Sequence, residues 1–301
     1  MFTKELGKQS KMNEGLPQLI NVPPFMLRGI KYNDLSRASK ILFILKGKFL
    51  SYIIKNTNEG LFCFFINLFY SSEGKLEYKT GRYVFNTYQG KSFFYPNKRV
   101  LRVVGKYNMT FTKILKSYCI DFIHFEKKDI VIDCGANVGE INLALKELGI
   151  DIDYFAFEPD LETFKCLKLN NPNSSLYNIG LSNKNAESKF FIDNEGGNSS
   201  FSNFGTEEYM NVESKSLDSF KFAKDIKLLK IDAEGYEPEV LEGAVETLKN
   251  IEFVSVDYGA ERGIMQETTI VDVNTFLYEN NFKLYKFSNH RLIGLYKNNK
   301  K

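Results

Sequence analysis

Three acids set among glycines and strand-like runs mark where this sequence could do chemistry. Asp133 follows the apolar run 130–132 and opens Cys134-Gly135-Ala136-Asn137-Val138-Gly139, after which Ile141, Leu143, Ala144, Leu145 and Leu148 fall at helical spacing. That order reads as strand, tight turn and helix. An acid at a strand tip accepts from an ammonium or a hydroxyl, and Gly135 and Gly139 let a ligand approach the backbone where helix N–H groups point outward. A nucleoside-type ligand suits such a turn. A dinucleotide would need Gly-x-Gly-x-x-Gly for its pyrophosphate, but Asn137 replaces the second glycine and Asp133 would repel a phosphate. S-adenosylmethionine carries a sulfonium and an ammonium and no phosphate, so it matches an acidic tip better. About twenty residues on, the run 154–157 ends in Glu158-Pro159, where a carboxylate would bridge both ribose hydroxyls. The plain alternative is a crossover that binds nothing.

The elements that must position these acids follow from periodicity. Strands are expected at 130–133, 154–158, 176–181, 227–232, 251–258, 282–287 and 291–296, and helices at 161–170, 238–248 and 271–280. Such alternation predicts an α/β, doubly wound, mostly parallel sheet, with Ser288-Asn289-His290 as a hairpin that puts an antiparallel strand at the edge. Ligands in this architecture lie beyond the carboxyl ends of the strands, so Asp133, Glu158, Leu181, Asp232 and Asp257 should border one crevice.

The first part of the chain reads differently. Residues 1–33 are polar, with Pro17 and Pro23-Pro24, and suggest a flexible arm. At 36–56 Ile41, Leu42, Leu45, Phe49, Tyr52 and Ile53 approach helical spacing among lysines, and an aromatic run follows at 61–66. Neither run reaches the roughly 20 apolar residues of a spanning helix. Packing in a core or an oligomer is favoured there, and peripheral contact with an anionic membrane surface stays open. Residues 77–104 suggest short strands and turns, including a strand at 100–104, and 109–119 suggests a helix. The expected domains are a small α+β N-terminal extension at 1–99 and a catalytic domain at 100–301.

Composition bounds the rest. The 301 residues carry a net charge of +3. The bases concentrate before Gly60, which leaves a weakly acidic remainder and argues against a catalytic domain that tracks nucleic acid. Cys63, Cys119, Cys134 and Cys166 form no C-x-x-C pair, and His124 and His290 stand alone, so neither a zinc site nor a disulfide framework is indicated. A reduced, cytoplasmic location and the absence of a signal peptide are expected.

The run 228–244, Leu-Leu-Lys-Ile-Asp-Ala-Glu-Gly-Tyr-Glu-Pro-Glu-Val-Leu-Glu-Gly-Ala, is the most telling. Together with 132–139, Phe157-Glu158-Pro159, Asn170-Asn171, Gly197-Asn198-Ser199-Ser200 and Ser216-Leu217-Asp218, it resembles the FkbM-type S-adenosylmethionine-dependent methyltransferases. The likeness spans about residues 100–296. It implies a class I methyltransferase fold and methyl transfer to a hydroxyl of a sugar, a glycan or a secondary metabolite. It also implies Asp133, Gly135, Asn137 and Gly139 around the methionine end of the cofactor, Glu158 on the ribose and Leu181 near adenine.

An alcohol is a weak acid, so its proton must be taken as the methyl arrives. Asp232 is the first candidate for that base. Lys230 shares its strand face and could hold it ionised, and Glu234 starts the next turn. A structural ion-pair network of these three residues is the plain alternative. Mg²⁺ on Asp232, Glu234 and Asp257 is allowed by an oxygen-rich set but not favoured. Asn198 and Ser199, in a Gly-rich loop before Phe201 and Phe204, suggest a substrate flap, or else a surface linker. Asp257 and Tyr258 are further substrate candidates, and Arg262 would hold an anionic acceptor group or pair with Glu261. An amino- or nucleic-acid methyltransferase is weakened because Asp232-Ala233-Glu234-Gly235 replaces the Asn/Asp-Pro-Pro-aromatic turn. A catalytically inactive binding module is disfavoured by the intact cofactor motifs.

Overall fold

The computed structural model describes residues 26, 32–70, 73–192, 199–222, 224–289 and 291–301. The chain forms two compact units, Met1–Met109 and Thr110–Lys301.

In the first unit, α1 (Arg37–Asn56) starts at Ser36, whose side chain accepts from the Ser39 N–H, and α2 (Glu59–Phe69) starts at Asn58, which accepts from Leu61. Both are side-chain N-caps, which satisfy donors that a helix start leaves open. Lys98 closes the far end of α1 by donating to the Ile54 and Thr57 carbonyls, a cation where the helix dipole is negative. The strands β1 (Gly74–Lys79), β2 (Arg82–Thr87) and β3 (Ser92–Tyr95) form an antiparallel meander. Asn67 of α2 pairs its amide with both backbone groups of Leu76 at 2.7 Å, occupying part of the β1 edge. Phe62, Ile66, Leu50, Phe85 and Tyr95 fill the core. Each helix buries only one stripe, Phe43, Leu50 and Ile53 on α1 and Phe62, Cys63 and Ile66 on α2. The expected strand at 100–104 is instead a 3-10 helix, Lys98–Arg102, because Asn97 caps it by accepting from the Arg99 N–H.

Helix α3 (Tyr107–Ser117) runs through the division between the units. After it come β4 (Ile130–Cys134), α4 (Glu140–Glu147), β5 (Asp153–Phe157), α5 (Leu161–Asn170), β6 (Ser175–Tyr177), β7 (Gly180–Leu181), β8 (Ala186–Phe191) and β9 (Tyr209–Lys215). The chain continues through β10 (Ile226–Ile231), α6 (Glu237–Glu242), α7 (Val245–Leu248), β11 (Ile251–Asp257), β12 (Ala260–Arg262), β13 (Glu267–Thr268), α8 (Ile270–Glu279), β14 (Phe282–Phe287) and β15 (Ile293–Asn298).

The main sheet has seven strands in the order β14-β15-β11-β10-β4-β5-β6. From β6 to β11 every pairing is parallel, and β15 is antiparallel to both neighbours. The edge of the sheet is thus the hairpin β14–β15, with the reversed strand seated just inside β14. Its central strands are largely apolar because both faces are covered: Val131, Ile132, Leu228, Leu229, Val254 and Val256 are fully buried.

Three departures from the sequence pattern have local causes. The strand expected over 176–181 breaks at Asn178, whose amide donates to the Glu158 and Pro159 carbonyls at 2.9 Å. Its second half, β7, joins a separate sheet ordered β7-β9-β8. The helix expected over 238–248 breaks at Gly243, where a Cβ would lie 2.0 Å from the Ser182 carbonyl oxygen. Strands β8 and β9 lacked a strong signal because their buried positions are few. The expected arm at 1–33 and the first part of the loop at 195–200 lie largely outside the described residues.

Candidate functional site

The turn between β4 and α4 is built for close approach. Gly135 and Gly139 have φ of +70° and +80°, values that favour glycine. A Cβ on Gly135 would come within 1.9 Å of the Asp232 carbonyl oxygen, and one on Gly139 within 2.1 Å of the Asn171 amide. The Asn170 amide donates to the Val138 carbonyl at 2.9 Å, and Asn171 accepts from Asn142 at 2.9 Å. The Asn170-Asn171 pair therefore locks the turn from the end of α5.

Asp133 lies beneath this turn, 1% exposed. In the parallel register it sits opposite Lys230, whose ammonium is 2.9 Å from its Oδ1. Tyr154 donates to the other oxygen at 2.5 Å. The same ammonium donates to the Cys134 and Gly135 carbonyls at 3.1 and 2.7 Å. Lys230, expected to serve Asp232 first, stands 3.9 Å from it and is primarily the partner of Asp133 and the turn. The geometric cause is the cross-strand pairing, which sets residue 230 beside residue 133.

Glu158 caps the turn from β5. Its Oε2 accepts from the Asn137 N–H at 2.8 Å and its Oε1 from the Asp160 N–H at 2.9 Å. Each oxygen keeps a second lone pair, enough for a pair of ribose hydroxyls. Burial pushes the carboxyl up to about 7, against those two backbone donors. Leu181 is 3% exposed within the main apolar cluster.

Beyond the tip of β10 the acids converge. Asp232, Glu234 and Glu261 place carboxylate oxygens within 4.8 Å of one another, and Asp257 at the end of β11 is 1% exposed beside them. Burial first and the Asp232 charge second push Glu234 up to about 10, and the same causes take Asp257 to about 8 against the opposing pull of Arg291. Glu261 lies against Glu234 and its carboxyl is also raised, chiefly by burial, so at neutral pH Glu234 holds a proton. Glu234 has φ of +51°, a conformation uncommon outside glycine. The loop is held by Glu237, whose Oε1 accepts from the Ala233 and Gly235 N–H groups at 3.1 and 2.9 Å and whose Oε2 accepts from Thr269 at 2.8 Å.

Two participants, Tyr118 and Arg291, had no local signal in the sequence, and a third, Ser200, closes the Gly197-Asn198-Ser199-Ser200 motif. Tyr118 donates its hydroxyl to Asp232 Oδ2. Arg291 ion-pairs with Asp257 and also approaches the Tyr118 hydroxyl at 3.3 Å. Ser200 is 1% exposed and donates to the Glu234 carbonyl at 2.7 Å.

Of the expected acceptor-contacting residues, Asp257 faces the acid cluster. Tyr258 does not: neighbouring residues on a strand point to opposite faces, and Tyr258 is 1% exposed with its hydroxyl against Gly294. Arg262 pairs with neither Glu261 nor open space. Its guanidinium is bidentate on Glu239 at 2.6 and 2.9 Å and donates to the Gly235 carbonyl at 2.7 Å. Ser199 is half-buried at the start of the segment that carries Ser200, and Asn198 lies outside the described residues.

The donor set fits S-adenosylmethionine. It combines glycines at positive φ, a carboxylate with free lone pairs for a ribose, and an acid-rich mouth that favours a sulfonium over a phosphate. A divalent cation would use Asp232, Glu234 and Glu261, a different set from the expected Asp232, Glu234 and Asp257. It would have to displace the proton that Glu234 holds at neutral pH.

A doubly wound sheet whose last strand is reversed and inserted beside the edge, with an acid–glycine turn after β4 and an acid closing β5, defines a class I S-adenosylmethionine-dependent methyltransferase. The chain belongs to the FkbM methyltransferase family: the family model described as the methyltransferase FkbM domain matches residues 133–284. No curated protein matches the chain in sequence. Among solved structures, it is similar to a TehB-like SAM-dependent methyltransferase from Corynebacterium glutamicum, with 11% identity, 61% of this chain and 86% of that one covered, and a TM-score of 0.36. It is also similar to an rRNA methylase from Streptococcus thermophilus, with 13% identity, 62% and 96% covered and a TM-score of 0.36. A precorrin-6y C5,15-methyltransferase from Geobacter metallireducens gives 11% identity, 61% and 87% covered and a TM-score of 0.36.

Proposed function

We propose that this methyltransferase acts on a hydroxyl of a sugar, a glycan or a hydroxylated small metabolite. The observation that carries this reading is the convergence of Asp232, Glu234 and Glu261 just past the glycine turn. When bound, S-adenosylmethionine supplies a methyl group made electrophilic by its sulfonium. Gly135, Asn137 and Gly139 would surround its methionine end, Glu158 its ribose and Leu181 its adenine, with Asp133 and Lys230 fixing the turn from below.

Asp232 is the base. It accepts the hydroxyl proton as the acceptor oxygen turns into an ether, and the Tyr118 hydroxyl, itself near Arg291, fixes the carboxylate's orientation. Glu234 keeps its proton and can donate to a neighbouring oxygen of the acceptor. The acidic mouth disfavours nucleic acid, whose phosphates would meet Asp232 and Glu261. Asp257 and Ser199 are the remaining acceptor candidates.

The test is incubation with methyl-labelled S-adenosylmethionine and two panels, one of sugar nucleotides and hydroxylated small molecules and one of amines and nucleic acids. The reading expects label in a methyl ether, identified by its NMR shift. Label confined to nitrogen or to nucleic acid would overturn it.

A further inference from the structure

Helix α1 is apolar on both sides, yet only one side is buried. Ile41, Leu42, Leu45, Phe49 and Tyr52 lie outside its packed stripe, each at least 46% exposed. With 3.6 residues per turn they occupy an arc of roughly 100°. Arg37, Lys48 and Lys55 border that arc on one side, exposed Lys46 stands beyond Ile53 on the other, and α1 contains no acidic residue.

Helix α2 continues the surface. Leu61, Phe64, Leu68 and Phe69 are each at least 50% exposed. Phe49 joins the two helices edge-on, with ring centroids 6.1 Å from Phe65 and 6.0 Å from Phe69. A contiguous apolar patch framed by charge marks an interaction surface. Among the described residues no helix is long and apolar enough to cross a membrane.

We propose that this face docks on an anionic lipid bilayer, with α1 lying in the plane of the interface. The apolar arc would enter the acyl boundary, and the flanking bases would reach lipid phosphates on either side, as long basic side chains do. Charge decides between this occupant and a second copy of the chain. A symmetric pairing of α1 on α1 would set lysine against lysine with no carboxylate on the helix to neutralise them. An anionic bilayer supplies the missing charge.

The test uses the full chain in flotation with vesicles of phosphatidylcholine alone or mixed with phosphatidylglycerol. Wild type should float only with the mixed vesicles, and high salt should reduce that binding. Leu45→Asp combined with Phe64→Asp changes two exposed side chains, so circular dichroism should stay unchanged while binding falls about tenfold or more. Lys46→Glu with Lys48→Glu should act in the same direction. Wild type that stays unbound with both vesicles would overturn the proposal, as would binding that neither pair of substitutions weakens. A dimer in sedimentation equilibrium that Leu45→Asp dissolves, without vesicle binding, would assign the face to a second copy.

Discussion

Lys230 stands directly across the β4–β10 register from Asp133, with its ammonium 2.9 Å from a carboxylate that is almost wholly buried. The pair joins the strand that leads into the glycine turn to the strand that leads into Asp232. Lys230→Met would leave a buried charge without its cation and two turn carbonyls without a donor. The expected loss is about 3–5 kcal/mol in denaturant unfolding. Adding Asp133→Asn should restore part of it, because the uncompensated charge is then removed.

Cofactor affinity should depend on pH through Glu158. Its carboxyl is pushed up to about 7, so it is ionised above that pH and protonated below it. A protonated carboxyl loses acceptor capacity for the ribose. Calorimetry should show S-adenosylmethionine binding weakening as pH falls through 7, and Glu158→Gln should bind weakly with little pH dependence. Unchanged affinity in Glu158→Gln would remove this residue from the cofactor site.

Glu237 gives a pH effect on stability. Burial raises its carboxyl from an ordinary 4.5 to about 7, so between those values the folded chain holds a proton that the unfolded chain has released. Stability from this residue is therefore fully present below about 4.5 and lost as pH rises through 7. Glu158 acts in the same window and with the same sign. Glu237→Gln should flatten that limb of the melting temperature against pH. Glu237→Ala should cost about 1–3 kcal/mol or more, since two backbone N–H groups and the Thr269 hydroxyl lose their acceptor.

A base at Asp232 and a metal bound there make different predictions with a chelator. Glu234 already holds a proton at neutral pH, so activity should not change with EDTA. Activity lost to EDTA and regained with Mg²⁺ would instead make Asp232, Glu234 and Glu261 cation ligands.

Much of this arrangement was legible because it is local. The turn at 133–139, the acid after β5 and the acid after β10 each sit at the end of an apolar run, and strand, turn and helix follow from spacing alone. What escaped was contributed from afar. Tyr118 lies 114 residues from the Asp232 it contacts, at the end of a helix whose pattern says only that one face is buried. Arg291 enters from the hairpin before β15, and its partner Asp257 is set by strand order. Tyr258 was misread as an acceptor contact because adjacency in sequence hides the alternation of a strand. The exposed arc of α1 was hidden for a related reason: apolar spacing shows that a stripe exists, and only packing shows which stripe is covered.

The most direct test of the catalytic account is methyl transfer by Asp232→Asn, measured with labelled S-adenosylmethionine and an acceptor that the wild type methylates. The substitution keeps the shape and removes the proton acceptor. Turnover should fall by about 10²–10⁴ while cofactor affinity stays near that of the wild type. A variant that melts at lower temperature yet, once folded, transfers methyl at the wild-type rate would contradict the account and leave Asp232 as a support for the strand tip.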